Sequence, residues 1–422
     1  MASRWAGRPN VGLIGHIGFV SVNLMTSTIN GFVDAAAVLT DEMLARFDER
    51  APRYDRENSF FTEDFEELHS SGYLTASLPV EFGGLGLDLA QVNELQRRIA
   101  YVAPATAVAM NMHHYFVGLC ADLHRAGDPS GDWVLRKAAD GHVFAAGHGE
   151  AGNDIPVFLS SATAERVEGG WEITGHKIFG SLSPVWTFLG VHAMDTSDPA
   201  NPQIVHAFIH RDSPNYRIEE TWDTLGMRAT TSNDTILERT FVPDEATILV
   251  CPAGFAGAGM FHVALFAWAL LGFAGVYSSI ARRAYDETVA TALQRGSLAL
   301  TRSMAYHPGV QHEVAEMRIH LEAMAAHLDR VLQDWVTGVD HGMDWPTKIL
   351  ACKYDVVTRA FAVVDSALDL TGGAGVFKRS RIEQLFRDSR MGRFHPGNSL
   401  LTHEVVGKLS LGINPDERPR WG

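Results

Sequence analysis

Cysteine is scarce in this sequence, and its few cysteines are widely spaced. Among 422 residues there are three, Cys120, Cys251 and Cys352, and no two of them form a C-x-x-C pair. Disulfide-rich secreted domains and zinc ribbons both depend on closely spaced cysteines. The sequence therefore predicts neither a disulfide framework nor a metal site, and it favours the reducing cytoplasm as the location of the protein.

Positive charge is also in short supply. The chain carries 35 Lys and Arg against 50 Asp and Glu, a formal net charge of −15. Nucleic acids and anionic membranes are bound by surfaces rich in Lys and Arg. We therefore expect a small-molecule ligand, and neither nucleic acid nor a membrane, with any phosphate-binding group confined to a local basic site.

Long hydrophobic runs, internal repeats and low-complexity segments are missing as well. The longest apolar run, 263–277, is shorter than the roughly 18–20 residues that cross a bilayer. We interpret this run as a core helix. The composition, 46% hydrophobic and 20% charged residues, is that of a soluble globular protein, and the length allows two or three domains.

Hydrophobic periodicity divides the chain into three parts. Apolar residues recur at helical spacing over 40–125, polar and apolar residues alternate as in strands over 143–250, and helical spacing returns from Gly257 onward. The sequence therefore predicts an α+β protein. The expected divisions are a disordered or non-native leader at 1–28, an N-terminal helical domain at 29–140, a middle β domain at 141–255 and a C-terminal helical bundle at 256–422.

Two glycines and a Pro-Gly turn interrupt the helical pattern near the C-terminus. Gly372 and Gly373 follow an apolar helix, and the segment 395–398, which reads His-Pro-Gly-Asn, precedes another helix. Glycine at a helix end lets the backbone approach a ligand closely, and Asn398 or Ser399 can cap the next helix. The same pattern also fits a plain connection between two helices.

The residues around this stretch resemble a known signature. Gly372-Gly373 followed by the Phe-Arg-Asp of 386–388 resembles the C-terminal signature of the acyl-CoA dehydrogenase superfamily of flavoproteins. Four more segments resemble motifs of that family in the expected order: 79–87 (PVEFGGLGL), 147–154 (GHGEAGND), 171–181 (WEITGHKIFGS) and 225–229 (LGMRA). The resemblance covers about residues 29–412 and implies a helical N-terminal domain, a middle β-barrel and a C-terminal four-helix bundle. It also implies FAD, with FMN as the alternative, in the cleft between barrel and bundle.

The resemblance assigns flavin-binding roles to particular residues. Phe179 would cover one face of the flavin ring, and the Ser181 hydroxyl would lie beside N5, the atom that takes or gives hydride. Arg295 or Arg302 would reach the pyrophosphate of a flavin held by a neighbouring subunit, which implies a homotetramer or homodimer. The other implied flavin contacts are Gly152, Asn153, Gln311, Gly372, Gly373 and Asn398. Taken alone, the serine also fits a plain hairpin and each arginine a plain surface position.

The catalytic base of the family is replaced in this sequence. Members of the family hold a glutamate either in the loop after Arg-Asp, within Tyr-Glu-Gly-Thr, or on the first helix of the C-terminal domain. The loop position is Pro396 here, and the helix position is Ala269, or His262 in a shifted register. The expected substitute is His395, beside the lost base, because imidazole accepts protons near neutral pH.

Three functions follow from the resemblance, in this order. The first is an acyl-thioester dehydrogenase with His395 as base, hydride transfer to flavin N5 and a flavoprotein as electron acceptor. The second is a two-component flavin monooxygenase or N-oxygenase, in which a reductase supplies reduced flavin and Ser181, His114 and His395 form a polar rim around the ring. The third is a flavin-binding homologue that has lost catalysis.

Overall fold

The N-terminal part of the chain is helical. The computed structural model describes residues 38–154 and 156–417, so the predicted leader at 1–28 lies outside the described residues. The first helices are α1 (Asp41–Glu57), α2 (Thr62–Ser70), α3 (Leu89–Val102), α4 (Pro104–Arg125) and α5 (Asp132–Ala139). Side-chain caps define two starts: Thr40 accepts from the third helical N–H of α1, and Asp88 forms a capping box with Gln91 at α3. Helix α1 continues through Pro52.

The middle of the chain forms one mixed sheet. Its strands are β1 (Phe144–Gly147), β2 (Thr163–Val167), β3 (Gly170–Gly180), β4 (Phe188–Asp195), β5 (Gln203–His210), β6 (Tyr216–Glu219), β7 (Asn233–Pro243) and β8 (Thr247–Pro252). The hydrogen-bonded order is β6-β7-β3-β2-β4-β5-β8, with β1 paired to β4 in parallel. Strands β2 and β3 pair antiparallel and form a hairpin at Gly169-Gly170.

Aromatic packing holds α4 against this sheet. Phe116 of α4 lies over Gly190 of β4 so closely that a β-carbon at Gly190 would meet the ring at 2.2 Å. The ring of Phe116 also packs edge-on against Phe208 of β5, with centroids 4.8 Å apart. Phe144 and Phe188 stack beside them at 5.2 Å. Large rings therefore fill the space between helix and sheet, and Gly190 is required by close approach.

The C-terminal part is again helical. Its helices are α6 (Met260–Gln294), α7 (Pro308–Val336), α8 (Trp345–Thr371), α9 (Arg381–Met391) and α10 (Ser399–Leu411). Helix α6 runs without a break from Met260 to Gln294, and α9 lies between Gly373 and the loop 395–398. Among the helices described, α6 alone is long and apolar enough to cross a membrane, but 89% of its most apolar window is buried inside the protein. The prediction of a core helix at 263–277 is confirmed by that burial.

Helix α6 contains one turn of π-helix, Ala267–Leu271. Such a turn leaves backbone carbonyls without their usual helical partners. Two buried amides from neighbouring helices replace those partners: Asn111 donates to the Ala269 carbonyl (3.1 Å) and Asn93 to the Leu271 carbonyl (2.8 Å). The π turn is therefore stabilised by tertiary contacts, which no pattern within α6 itself could indicate.

An arginine and an aspartate tie the three parts together. Arg387 of α9 donates to both carboxylate oxygens of Asp55 in α1, at 2.9 and 2.6 Å. Asp388 accepts from the backbone N–H of Met227 (2.6 Å), and a β-carbon at Gly226 would meet the Arg387 carbonyl at 2.4 Å. Two of the motifs found in the sequence, 225–229 and 386–388, are thus the two sides of one contact. This contact fixes the walls of a cleft between the domains.

Candidate functional site

The cleft lies where α4, the sheet and the C-terminal helices meet. Its walls come from one face of α4, the ends of β1 and β3, the segment 149–157, the π turn of α6 and the loop 391–398. Five of the residues predicted from the sequence line it: Asn153, Phe179, Ser181, His395 and Asn398. The fold therefore brings residues of the segments 147–154, 171–181 and 395–398 to one cleft.

Phe179 has a conformation that favours contact with a flat ligand. Its φ angle is 59°, in the left-handed region that aromatic residues rarely occupy, and its side chain is 53% exposed. Trp222 packs edge-on against the ring with centroids 5.9 Å apart. A strained backbone that presents an exposed aromatic ring to a cleft is typical of a binding site. Phe179 therefore fits the predicted role of covering a flavin ring.

Three hydroxyl groups beside Phe179 form a directed chain. The Thr230 hydroxyl donates to the Met227 carbonyl (2.8 Å) and lies 2.7 Å from the Ser232 hydroxyl. Because the Thr230 proton is used, Ser232 donates to Thr230. Ser181 Oγ is 2.7 Å from Ser232 Oγ and donates to it in turn. Ser181 thereby presents oxygen lone pairs to the cleft as an acceptor.

His395 is held rigidly at the edge of the cleft. Its ring stacks on Phe273 at 4.1 Å with an interplanar angle of 11°, and its Nε2 lies 2.8 Å from the Tyr277 hydroxyl. Burial, with a smaller contribution from the Lys353 ammonium, lowers the pKa of His395 to about 3. The imidazole is therefore neutral at physiological pH. It can donate or accept one hydrogen bond, but it is a weak base.

Lys353 orders the loop that carries His395. Its buried ammonium group donates to three carbonyl oxygens, those of Gly392 (3.1 Å), His395 (3.3 Å) and Gly397 (3.1 Å). Burial lowers the pKa of this lysine to about 7. Asn398 then caps α10 by accepting from the Leu401 N–H at 3.0 Å, so the predicted cap is confirmed. The loop is thus fixed at both ends.

Both positions that the resemblance assigned to a catalytic glutamate lie in the cleft wall. Ala269 belongs to the π turn and Pro396 follows His395, and both line the cleft. His262, the position in the shifted register, is absent from the lining and stacks on Phe158 with centroids 5.0 Å apart. The cleft therefore offers no carboxylate at the position of Ala269 or at that of Pro396.

The carboxylate of Glu150 does line the cleft but is engaged in an ion pair. It bonds to the buried Lys177 ammonium, the Ser160 hydroxyl (2.6 Å) and the Ser161 N–H (2.9 Å). Burial alone would raise its pKa, but Lys177 and these donors outweigh burial and lower the pKa to about 2. Glu150 is consequently a structural anion. It holds the segment 149–161, and Asn153 donates to it at 2.8 Å.

The structure does not bring His114 to the cleft, which corrects the prediction that it forms part of a polar rim. Val108, Met112 and Tyr115 of α4 line the cleft, whereas His114 points away from that face and packs edge-on against Tyr73 at 4.7 Å. Successive residues of a helix point about 100° apart, so a neighbour of a lining residue faces elsewhere. A different histidine, His148, lines the cleft, and the Tyr115 hydroxyl lies 3.3 Å from its Nδ1.

The remaining predicted site residues lie outside the cleft lining: Gly152, Arg295, Arg302, Gln311, Gly372 and Gly373. Arg295 donates to the Thr371 carbonyl (2.7 Å), and its Nη1 lies 4.0 Å from a β-carbon placed at Gly372. Of the two competing arginines, Arg295 is thus beside the double glycine. Arg302 instead stacks over Tyr306 at 4.8 Å, and Gln311 donates to the Ala305 carbonyl at 3.0 Å. A β-carbon placed at Gly373 would meet no atom within 4 Å. Gly152 has a φ angle of 76° and directly precedes Asn153, which lines the cleft.

Sequence reasoning missed several residues of the cleft. Tyr277 and Lys353 were read as parts of apolar core helices, although a lone lysine within ILACKYDVV was a usable signal. His148 lies inside the 147–154 motif but is not part of its recognised pattern. Trp222 precedes the 225–229 motif but is not part of it, so only the folded structure shows that it lies beside Phe179.

Comparisons with known proteins agree with this geometry. The family model described as "Acyl-CoA dehydrogenase, C-terminal domain" matches residues 262–410, and that described as "Acyl-CoA dehydrogenase, N-terminal domain" matches residues 30–130. An L-evernosamine nitrososynthase of a Micromonospora species is 27% identical over 388 residues, which cover 89% of either chain. A putative acyl-CoA dehydrogenase, YdbM, of Bacillus subtilis is 26% identical over 369 residues, 86% of this chain and 92% of YdbM.

A solved structure shows the same architecture. KijD3 in complex with FMN and dTDP-3-amino-2,3,6-trideoxy-4-keto-3-methyl-D-glucose aligns with a TM-score of 0.81 and 24% identity over 94% of this chain and 98% of KijD3. The fold and site therefore define a flavoenzyme with a helical N-terminal domain, a central sheet and a helical C-terminal domain. The chain belongs to the acyl-CoA dehydrogenase superfamily, and the predicted fold class is confirmed. A flavin is its cofactor. Its homologues are flavin-dependent enzymes, so the third hypothesis, a flavin-binding homologue that has lost catalysis, is set aside.

Proposed function

We propose that this flavoenzyme is a monooxygenase that transfers oxygen to the nitrogen of a small-molecule amine, using reduced flavin and dioxygen. The observation that carries the proposal is the pair Ala269 and Pro396. Both line the cleft, and the resemblance assigns the glutamate of a dehydrogenase to the position of Pro396 or to that of Ala269, with His262 as the alternative to Ala269. Removal of an α-proton from a thioester requires such a base, and Glu150 is held in an ion pair with Lys177.

The orientation of the hydroxyl chain supports the use of reduced flavin. Ser181 donates toward Ser232 and offers its lone pairs to the cleft. Reduced flavin carries a proton on N5, whereas oxidised flavin has a lone pair there. An acceptor at Ser181 is therefore complementary to the reduced form. The residues that would hold the ring are Phe179, Ser181 and Asn153.

The histidines of the cleft favour an uncharged amine. Burial, with a contribution from Lys177, lowers the pKa of His148 to about 3, and burial with Lys353 lowers that of His395 to about 3. The same desolvation would lower the pKa of an amine in this space and bind it in its unprotonated form. An unprotonated nitrogen has the lone pair that oxygen transfer requires. When bound, reduced flavin would supply the activation of dioxygen.

Similarity to nitrososynthases also supports this proposal. L-evernosamine nitrososynthase and the amino sugar nitrososynthases RubN8 and DnmZ are 27%, 26% and 27% identical to this chain. Amines carried on nucleotide sugars are accordingly the first substrates to test. The proposal includes a flavin reductase as partner and a homodimer or homotetramer in the cytoplasm. The position of Arg295, beside Gly372 and outside the cleft lining, supports the proposal that it contacts the flavin of a neighbouring subunit.

The second candidate is the acyl-thioester dehydrogenase. The similarity to YdbM and the presence of His395 in the cleft favour it. Its weakness is the low pKa of His395, since a group with a pKa of about 3 removes an α-proton inefficiently. This reading makes an electron-transferring flavoprotein the partner in place of a reductase.

One pair of assays separates the candidates. The enzyme is supplied with chemically reduced FAD or FMN, an aminosugar nucleotide and ¹⁸O₂, and the product is examined for ¹⁸O by mass spectrometry. In parallel, oxidised flavin on the enzyme is mixed anaerobically with a panel of acyl thioesters, and loss of its absorbance is followed. Label in the product supports the monooxygenase. Rapid bleaching by a thioester with no label incorporated overturns it in favour of the dehydrogenase.

A further inference from the structure

Three potential metal ligands from separate elements converge behind the cleft. They are His206 of β5, Cys251 of β8 and His262 in the first turn of α6. One ligand atom of each, an imidazole nitrogen or the thiol sulfur, lies within 4.8 Å of the corresponding atoms of the other two. All three side chains are buried, with His206 at 2% and His262 at 1% exposure.

The sheet register explains how two of them meet. Strands β5 and β8 pair antiparallel, and Cys251 lies directly opposite Ile204. Ile204 and His206 are two residues apart on one strand, so they point to the same face as Cys251. Cys251 and His206 are therefore diagonal neighbours on that face. Helix α6 begins over this face and places the His262 ring edge-on against His206, with centroids 5.2 Å apart.

The imidazoles of this cluster lack well-formed hydrogen bonds. Among the residues described, neither nitrogen of His206 and neither nitrogen of His262 has a partner at hydrogen-bond geometry, although the Val157 backbone lies close to the His206 ring. At His114 and His192 only one nitrogen is unpaired, and His113 bonds through both, to the Leu74 carbonyl (2.8 Å) and the Phe144 N–H (3.1 Å). Buried polar atoms are nearly always paired, so two adjacent imidazoles without a well-formed bond beside one thiol call for an explanation.

We propose that His206, Cys251 and His262 bind a late transition-metal ion that prefers sulfur and imidazole ligands, either Zn²⁺ or Cu⁺. Three atoms no more than 4.8 Å apart all lie within about 2.8 Å of one common point, against Zn–N and Zn–S distances of about 2.0–2.3 Å. Side-chain rotations that move each ligand atom inward by less than about 1 Å bring all three to binding distance, which suffices for Cu⁺, and Zn²⁺ would take a water molecule as its fourth ligand. Two imidazoles and one thiolate are a ligand set that both ions accept.

Binding requires only the loss of one proton. The metal replaces the thiol proton, which leaves to solvent, and each imidazole donates a lone pair. No oxidation or reduction is involved.

The site would connect the sheet to the C-terminal helices next to the cleft. Phe158 stacks on His262 with an interplanar angle of 16°, and the adjacent Val157 lines the cleft. The backbone N–H of Val157 donates to His192 at 3.2 Å, so this segment is already fixed on its other side. A bound ion would hold the start of α6 to β5 and β8. This inference does not depend on which reaction the cleft carries out.

Metal retention by the full-length protein tests the proposal. The protein is stripped with a chelator, incubated with Zn²⁺, with Cu⁺ under anaerobic reducing conditions, or with Co²⁺ as a spectroscopic substitute, and desalted. Bound metal is measured by mass spectrometry. We expect about one ion per chain for Zn²⁺ or Cu⁺, and competition between the two identifies the preferred ion. Retention of neither ion overturns the proposal.

Matched variants assign the ligands. Cys251→Ser should weaken retention by about tenfold or more, whereas Cys352→Ser, a change at a buried cysteine of α8 outside the cluster, should leave it unchanged. Equal retention by the Cys251→Ser variant and the wild type overturns the proposal. A thiolate-to-metal charge-transfer band in the wild type loaded with Co²⁺ or with copper after oxidation reports Cys251 without any variant. A protein that retains metal yet shows no such band likewise contradicts the assignment.

Discussion

The hydroxyl of Tyr277 lies 2.8 Å from Nε2 of His395, although the two residues are 118 positions apart in the chain. Phe273, one turn earlier on α6, stacks on the same imidazole. Burial raises the pKa of Tyr277 and lowers that of His395, so both groups are neutral. A single neutral hydrogen bond therefore fixes the plane of the histidine at the cleft, and because the hydroxyl can donate or accept, either tautomer fits it.

Tyr277→Phe tests whether this bond positions His395. The variant keeps the ring and its packing but removes the hydroxyl, and one hydrogen bond is worth about 1 kcal/mol, so turnover should fall by roughly fivefold. Because Nε2 of His395 loses its hydrogen-bond partner, the pKa of the imidazole changes and the acid limb of the pH–rate profile should also shift, which a purely structural loss would not cause. Flavin content should stay unchanged. Tyr285→Phe, on the same helix, is the control, and equal turnover in both variants would contradict the assignment.

Lys353→Met tests the loop 391–398. Methionine preserves the length of the side chain but leaves the carbonyls of Gly392, His395 and Gly397 without a donor. We expect a loss of about 3 kcal/mol in the free energy of unfolding, measured by urea denaturation. Lys348→Met on the same helix, where the lysine is 3.8 Å from Asp344 at the surface, should cost less than about 0.5 kcal/mol. Similar losses in the two variants would show that Lys353 does not order the loop.

His113→Gln separates a hydrogen-bonding role from a titrating one. His113 donates through Nε2 to Leu74 and accepts through Nδ1 from Phe144, and an inserted glutamine amide can make both bonds. Burial lowers the pKa of His113 from 6.5 to about 4. The unfolded chain therefore takes up a proton first as the pH falls. The stability that His113 contributes is complete above pH 6.5 and is lost as the pH falls toward 4.

The measurement is the free energy of unfolding of both proteins at pH 7.5 and at pH 4.5. The wild type should lose about 3 kcal/mol more than the His113→Gln variant over this interval, because a single group with this pKa difference contributes that amount. At pH 7.5 the two proteins should be similar in stability. Identical acid sensitivity would show that His113 titrates normally in the folded protein.

The sequence predicted the fold better than it predicted the contacts that produce it. The segments 225–229 and 386–388 were recognised as separate signatures, yet their meaning is that Asp388 accepts from Met227 and that Gly226 admits the Arg387 backbone. The strands β1 and β6, with four residues each, are too short to show alternation. The π turn depends on Asn93 and Asn111 from two other helices. The local sequence pattern predicts helices and strands, whereas the Asp388–Met227 contact and the π turn depend on residues that are distant in the sequence.

The residues of the candidate site were likewise predicted only where they lie in or beside a motif. Phe179, Ser181 and His395 were identified because they lie in or beside motifs, and the fold brings all three to one cleft. His114 was misplaced because periodicity does not fix which face of a largely buried helix meets a ligand: nearly all of α4 is buried. The convergence of His206, Cys251 and His262 had no sequence signal, since metal-site patterns rely on close spacing.

Gly190→Ala tests the contact that sets α4 against the sheet, and through it the cleft wall formed by Met112 and Tyr115. The added methyl group would meet the Phe116 ring at 2.2 Å, so the variant should lose about 1–3 kcal/mol in the free energy of unfolding. Phe116→Leu alone should also destabilise, by about 1–2 kcal/mol, because it removes ring contacts with Phe208. The smaller leucine leaves room for the methyl group, so the double variant should be more stable than the sum of the single effects predicts. Strict additivity in urea denaturation would show that Gly190 is not selected for its closeness to Phe116.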